Sequence, residues 1–293
     1  MTGVSQPLPG VAWYDLNNPA SLALDELAKQ YQLHELQVED CRHPQRAKTE
    51  DYERYIFTVL KALQPGKTPK FLDFDIFLGK DFLITVHAGS CPAVDKAVQR
   101  AQQHRTQRLD KLFYILVDHT VDEYLLRLDA LAEKISHVES DVLENPEPPV
   151  LRRIFSMKRN LIDFRRHAGA MREVVNQLMR REQGFLGDDL DPFFRDVYDH
   201  IVRTVDLIET YRDLLSSATD IYLSAVANRT NQIVKVLTVW GTVALPLVVI
   251  TGFFGMNLPI PWQHNPLGAV YASLLMVGIG GLILWYFRKQ GWF

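Results

Sequence analysis

Four aspartates, Asp199, Asp206, Asp213 and Asp220, recur every seven residues in this 293-residue chain. Seven residues make about two helical turns, so on a helix these acids form one stripe. Continued at 3.6 residues per turn, the stripe passes Ala227, Asn231, Val234, Thr238, Gly241, Leu245, Val248 and Gly252. Just beyond it stands the tripeptide Gly255, Met256, Asn257. The chemistry open to such a stripe is passage rather than bond making. In a ring of identical helices it is the wall of a pore. On a lone helix its acids are a solvated face, and its small residues a helix-packing face in lipid.

Nothing else in the sequence competes as a catalytic centre. "PGKT" at 65–68 resembles the end of a phosphate loop, but the motif needs glycine at 61, where Lys61 stands. "GIGG" at 278–281 falls inside an apolar run and reads as helix packing. The serines, cysteines and histidines lie in no nucleophile-elbow or zincin context, so no enzyme is expected. Cys41 and Cys91 have no CxxC spacing, and a net charge of −3 gives no nucleic-acid signal. Asp196 and His200 share a helix face at i, i+4, a spacing open to Zn2+, but no third ligand is evident.

The elements that must hold the stripe follow from where charge is missing. Charged residues make up 23% of the chain, yet residues 236–287 contain none. A spanning helix needs about 20 apolar residues, so these 52, broken by prolines at 258–266, make two spans and a short turn. Arg229 and Lys235 precede the first span, Arg288 and Lys289 follow the second, and the turn has no Lys or Arg. Both ends are therefore expected in the cytoplasm. The beginning lacks the basic start and apolar run of a signal peptide, so the N-terminal part is expected to be cytoplasmic as well.

Upstream, "ERYIFTVLKAL", "FLDFDIFLG" and "DFLITVH" predict strands and "SLALDELAKQY" a helix, giving an α/β domain over 1–91. Residues 92–183 carry apolar side chains at spacings of three and four and predict a helical hairpin broken at "ENPEPPV". Residues 190–235 predict a stalk helix, with Ile201, Ile208, Leu215 and Tyr222 and then Thr204, Tyr211, Ala218 and Ala225 as its packing seam. Between Pro192 and Gly252 there is one proline, Pro246, and one glycine, Gly241, so stalk and first span (236–256) can form one rod of roughly 90 Å. An outer loop (257–266), a second span (267–287) and a tail (288–293) complete an α+β chain with a long stalk and two C-terminal transmembrane helices. Two spans per chain cannot enclose a water path, so a pore requires an oligomer.

"GMN" at the end of the first span, after "NRTNQIVKVLT" (228–238), closely resembles the CorA family of divalent-cation transporters. So do "FFRDVYDH" (193–200), "MKRNLIDFR" (157–165) and "VEDCRHPQRAKTE" (38–50), and the resemblance covers most of the chain. It implies a homopentameric funnel in the bilayer of the cell inner (plasma) membrane, with divalent cations as its partners and no organic cofactor. It implies that Gly255, Met256 and Asn257 form the selectivity ring at the outer mouth, with Asn257 contacting hydrated Mg2+. Asn231, Val234, Leu237, Gly241, Leu245, Val248 and Gly252 would line the pore, with Val234, Leu237 and Leu245 as its apolar constriction. Asp220 would be the stalk acid near the inner mouth. Regulatory Mg2+ would sit between subunits on Asp40 with Asp196 and on Glu39 with Asp118.

The physics suits these residues. Mg2+ favours oxygen ligands and gives up its waters reluctantly; a ring of neutral amides can bind the water shell and still release the ion. One departure stands out. Magnesium members follow GMN with an acidic loop, whereas "LPIPWQHNPLG" holds no acid and is more similar to the zinc-transporting ZntB branch. Mg2+ is the expected cargo; the alternative is Zn2+, Co2+ or Ni2+ carried in the ZntB manner, with coupling to a proton gradient open, and His264 is a loop residue open to a softer metal. A membrane-anchored sensor that does not conduct is the reading from another class; it would not need the small and polar stripe from Asn231 to Gly252.

Overall fold

Every residue of the strand Tyr55–Leu63 is buried, Thr58 and Lys61 included. A strand covered on both faces needs layers above and below it, and the chain supplies both. The computed structural model describes residues 4–66, 69–180, 184–256 and 267–292. Its strands are β1 (Val4–Ser5), β2 (Trp13–Leu16), β3 (Lys48–Asp51), β4 (Tyr55–Leu63), β5 (Phe71–Gly79) and β6 (Leu83–His87). Its helices are α1 (Leu22–Tyr31), α2 (Glu35–Asp40), α3 (Pro92–His104), α4 (Leu109–Glu144), α5 (Pro148–Met179), α6 (Asp191–Phe254) and α7 (Gly268–Lys289).

The sheet order is β1-β2-β6-β5-β4-β3, with β2 and β6 parallel and the other pairs antiparallel. Side chains alternate across a strand. On β4, Tyr55, Phe57 and Val59 join Leu24 and Leu27 of α1 and Val38 of α2 in one apolar core. The other face carries α4 and α5. There Tyr124 of α4 donates its hydroxyl proton to the Lys61 carbonyl at 2.5 Å, and the Lys61 amide meets the Met171 sulfur of α5 at 3.4 Å.

The helix ends follow local chemistry. Ser21 accepts from the Ala23 amide to start α1. Prolines in the first turn open α3 and α5, where the missing N–H costs nothing. α6 runs 64 residues without interruption, Pro246 included. Its seam is buried at Ile201, Thr204, Ile208, Tyr211, Leu215, Ala218 and Tyr222, while Ala225 is only half-buried.

The chain divides into two compact units, Met1–Thr219 and Asp220–Phe293. The first holds the sheet and its helical layers. The second holds the apolar part of α6 and the whole of α7. Both helices are long and apolar enough to cross a membrane, and their apolar stretches are almost wholly exposed in a single chain.

Candidate ion pathway and metal-binding carboxylates

In the second unit, Asn231, Val234, Leu237, Gly241, Leu245, Val248 and Gly252 are all exposed, as is Asp220. Leu237 and Leu245 leave 65% and 68% of their surface uncovered, which soluble packing would not tolerate in such a row. Hydroxyls on this helix are satisfied by its own backbone: Thr238 donates to the Val234 carbonyl at 2.8 Å and Thr242 to the Thr238 carbonyl at 2.7 Å. Thr238, which periodicity puts on the stripe, therefore adds no free donor there.

The glycines are informative. A Cβ added at Gly241 or Gly252 would meet nothing within 4 Å, so no packing within one chain demands glycine at either position. Gly255 is different. Its amide donates to the Thr251 carbonyl at 3.0 Å as the helix closes, and a Cβ there would lie 3.1 Å from that same oxygen. Met256 is exposed beside it. Asn257, the loop to residue 266 and His264 lie outside the described residues.

The far ends of the two apolar helices carry a basic and aromatic cluster. Lys235 of α6 sits over the ring of Trp292 at 5.9 Å and Lys289 over Trp285 at 5.4 Å, with Phe287 5.0 Å from Trp292. Such amphipathic rings and snorkelling cations suit a membrane–water boundary.

In the first unit the candidate regulatory acids fall into two groups. Glu39 and Asp40 end α2, Glu39 exposed and Asp40 half-buried. Asp40 accepts from the Lys48 ammonium at 2.7 Å, and Lys48 also reaches Glu50 at 2.7 Å. Burial pulls the Lys48 pKa down, but the two carboxylates outweigh it and hold the ammonium above its ordinary value.

Asp118 of α4 is buried and paired with Arg100 of α3 at 2.6 Å. Burial first, and Asp122 next, push its carboxyl above the usual range despite Arg100. Asp196 of α6 is exposed; the His200 imidazole lies 4.0 Å from it, and the His200 Nδ1 meets Asp122 at 3.1 Å.

The structure also gathers around Asp118 two side chains, His119 and Asp122, that the sequence reading did not single out. Asp118, His119 and Asp122 bring one ligand atom each within 4.8 Å of the others. Burial holds the His119 imidazole below its usual pKa, which favours the neutral form. The available signal was Asp118 and Asp122 at i, i+4 on one helix face. Lys48 and Arg100 were legible only as charges.

The family profile described as "CorA-like Mg2+ transporter protein" matches residues 9–289. The chain belongs to the CorA family. It is 34% identical over 269 residues to the cobalt/magnesium transport protein CorA of Thermotoga maritima, covering 89% of this chain and 77% of that protein. It is 28% identical to the putative metal ion transporter YfjQ of Bacillus subtilis, covering 97% and 91%. Among solved structures, the CorA magnesium transporter of Methanocaldococcus jannaschii superposes with a TM-score of 0.84 at 24% identity, over 96% of this chain and 91% of that one. The ZntB cytoplasmic domain of Vibrio parahaemolyticus gives 0.65 at 14%, over 74% and 88%. CorA proteins are transporters, and this member shares their α/β domain, long helix and two C-terminal apolar helices.

Proposed function

We propose that five copies of this chain form a membrane channel that takes up Mg2+ down its electrochemical gradient. The observation that carries this reading is the exposed stripe on α6, whose glycines Gly241 and Gly252 have no packing role within one chain. Its wall would be Asn231, Val234, Leu237, Gly241, Leu245, Val248 and Gly252, with Asp220 attracting cations at the inner mouth. Gly255, Met256 and Asn257 would form the outer ring. There, neutral oxygens hold the ion's water shell without stripping it.

The layout proposed from sequence is a cytoplasmic domain (1–91), a helical hairpin (92–183), a stalk (190–235), two spans (236–256 and 267–287) joined by an outer loop, and a cytoplasmic tail. The protein would sit in the cell inner membrane with both ends inside. A divalent ion gains about 4.6 kcal/mol per 100 mV of inside-negative potential. Uptake therefore needs no nucleotide.

Asp40, Asp196, Glu39 and Asp118 would hold cytoplasmic Mg2+ between subunits. Their donors are hard carboxylate oxygens, exposed on Glu39 and Asp196, half-buried on Asp40 and buried on Asp118, and oxygen donors of this kind suit Mg2+. Each pair would be completed by the neighbouring copy. Loss of Mg2+ would leave facing carboxylates to repel, shifting the ring toward opening.

A second cargo, Zn2+ or Co2+, is favoured by one observation, the acid-free loop "LPIPWQHNPLG" after Asn257. Uptake of Mg2+ against Zn2+ into proteoliposomes, with and without a pH gradient, separates the two. Asn257→Ala is expected to abolish whichever flux is present. Undiminished flux in that variant would remove the amide ring from the mechanism.

A further inference from the structure

The two proposed carboxylate pairs share an asymmetry. In each, one acid carries a lysine or arginine from its own chain and the other does not. Asp40 has Lys48 at 2.7 Å and Asp118 has Arg100 at 2.6 Å. Their intended opposites, Asp196 and Glu39, are exposed, and among the described residues neither has a lysine or arginine within ion-pair distance.

We propose that Lys48 and Arg100 are resident counter-ions that compete with Mg2+ for Asp40 and Asp118, and so set the Mg2+ concentration at which the subunits lock together. This rests on reading those four carboxylates as regulatory sites.

Both cations are built to yield without being stranded. Lys48 bridges two acids, so it can release Asp40 while keeping Glu50, also at 2.7 Å. Arg100 lies 5.9 Å from the Tyr114 ring, whose face still receives the guanidinium when Asp118 turns away. The gain is in tuning. Without Mg2+, the resident cation offsets part of the negative charge of each facing pair, which weakens the repulsion between copies. With Mg2+ present, the ion must displace an ammonium or guanidinium before it can use the carboxylate, and its affinity falls accordingly. A site of bare carboxylates would fill at lower Mg2+ and keep the channel shut under ordinary conditions.

The test is Mg2+ titration of the full-length protein in detergent, read as protection from proteinase K, an assay independent of flux. Lys48→Met is expected to move the midpoint roughly tenfold toward lower Mg2+, as removal of a contact charge next to a divalent ion predicts. Lys48→Arg, which keeps the charge, is expected to stay near the wild-type midpoint. Asp196→Ala, a probe of the regulatory reading alone, is expected to move it upward.

If Asp196→Ala shifts the midpoint while Lys48→Met leaves it unchanged or raises it, the counter-ion role is overturned and the sites stand. A Lys48→Arg shift as large as that of Lys48→Met also overturns it, since packing rather than charge would then be responsible. If Asp196→Ala changes nothing, the regulatory reading fails and takes the counter-ions with it. Should Lys48→Met not assemble, Arg100→Gln makes the same test at Asp118, with the same direction expected.

Discussion

The Lys235 ammonium lies 5.9 Å from the ring centre of Trp292, so the start of the apolar part of α6 meets the end of α7. Lys235 is the last charge before the uncharged stretch, and Trp292 follows the two cations that end it. The second unit is therefore a hairpin that returns to the side it left.

Single cysteines at positions 229 and 290 are accordingly expected to react with a membrane-impermeant thiol reagent from the same face, the cytoplasmic one. The native Cys41 and Cys91 are buried and give little background. Labelling of one position from inside and the other from outside would contradict the hairpin.

Gly241→Leu offers a test of the stripe. Nothing in the single chain opposes a side chain at this position, and leucine is the better helix former by up to about 1 kcal/mol. Folding and assembly should survive. An apolar side chain added to a pore wall narrows and dewets it, and flux is expected to fall by about tenfold or more. Wild-type flux from this variant, measured in proteoliposomes, would move the pathway to another face of α6.

A pH effect is expected from the sheet. Burial, with Asp73 beside it, pushes the Asp75 carboxyl up to about 8, and one of its oxygens has no hydrogen-bond partner. The folded state thus holds a proton that the unfolded chain gives up near pH 4. The favourable protonated state is fully present below pH 4, and stability from this group declines as pH rises toward 8. Asp75→Asn should remove that decline. Its advantage over wild type should grow by on the order of 1 kcal/mol per pH unit across that window, measured by denaturant unfolding of the full chain at pH 5 and pH 8. Equal advantages at both pH values would refute it.

Much of this architecture could be read from sequence because its signals are long. β4, β5 and β6 are dense in β-branched and aromatic residues, and the helices repeat apolar side chains over many turns. What escaped is short or tertiary. β2 is four residues long. β3, "KTED", has a single good strand former and exists because Lys48–Asp51 pairs with Ile56–Val59. The exposure of the α6 stripe follows from its spacing, but the freedom around Gly241 needs coordinates. The cations on Asp40 and Asp118 were hidden for the same reason. Arg100 and Asp118 stand on different helices, and only the packing of α3 on α4 brings them together.

The position of β3 has one more consequence. It is one of the sheet's two border strands, and its outward edge is a place where a second sheet could add on and nucleate fibrils. Three of its four residues, Lys48, Glu50 and Asp51, bear charge, and the strand ends after four. Short, charged borders of this kind resist strand addition. Copies of the chain crowded together are thus steered away from strand addition at this border.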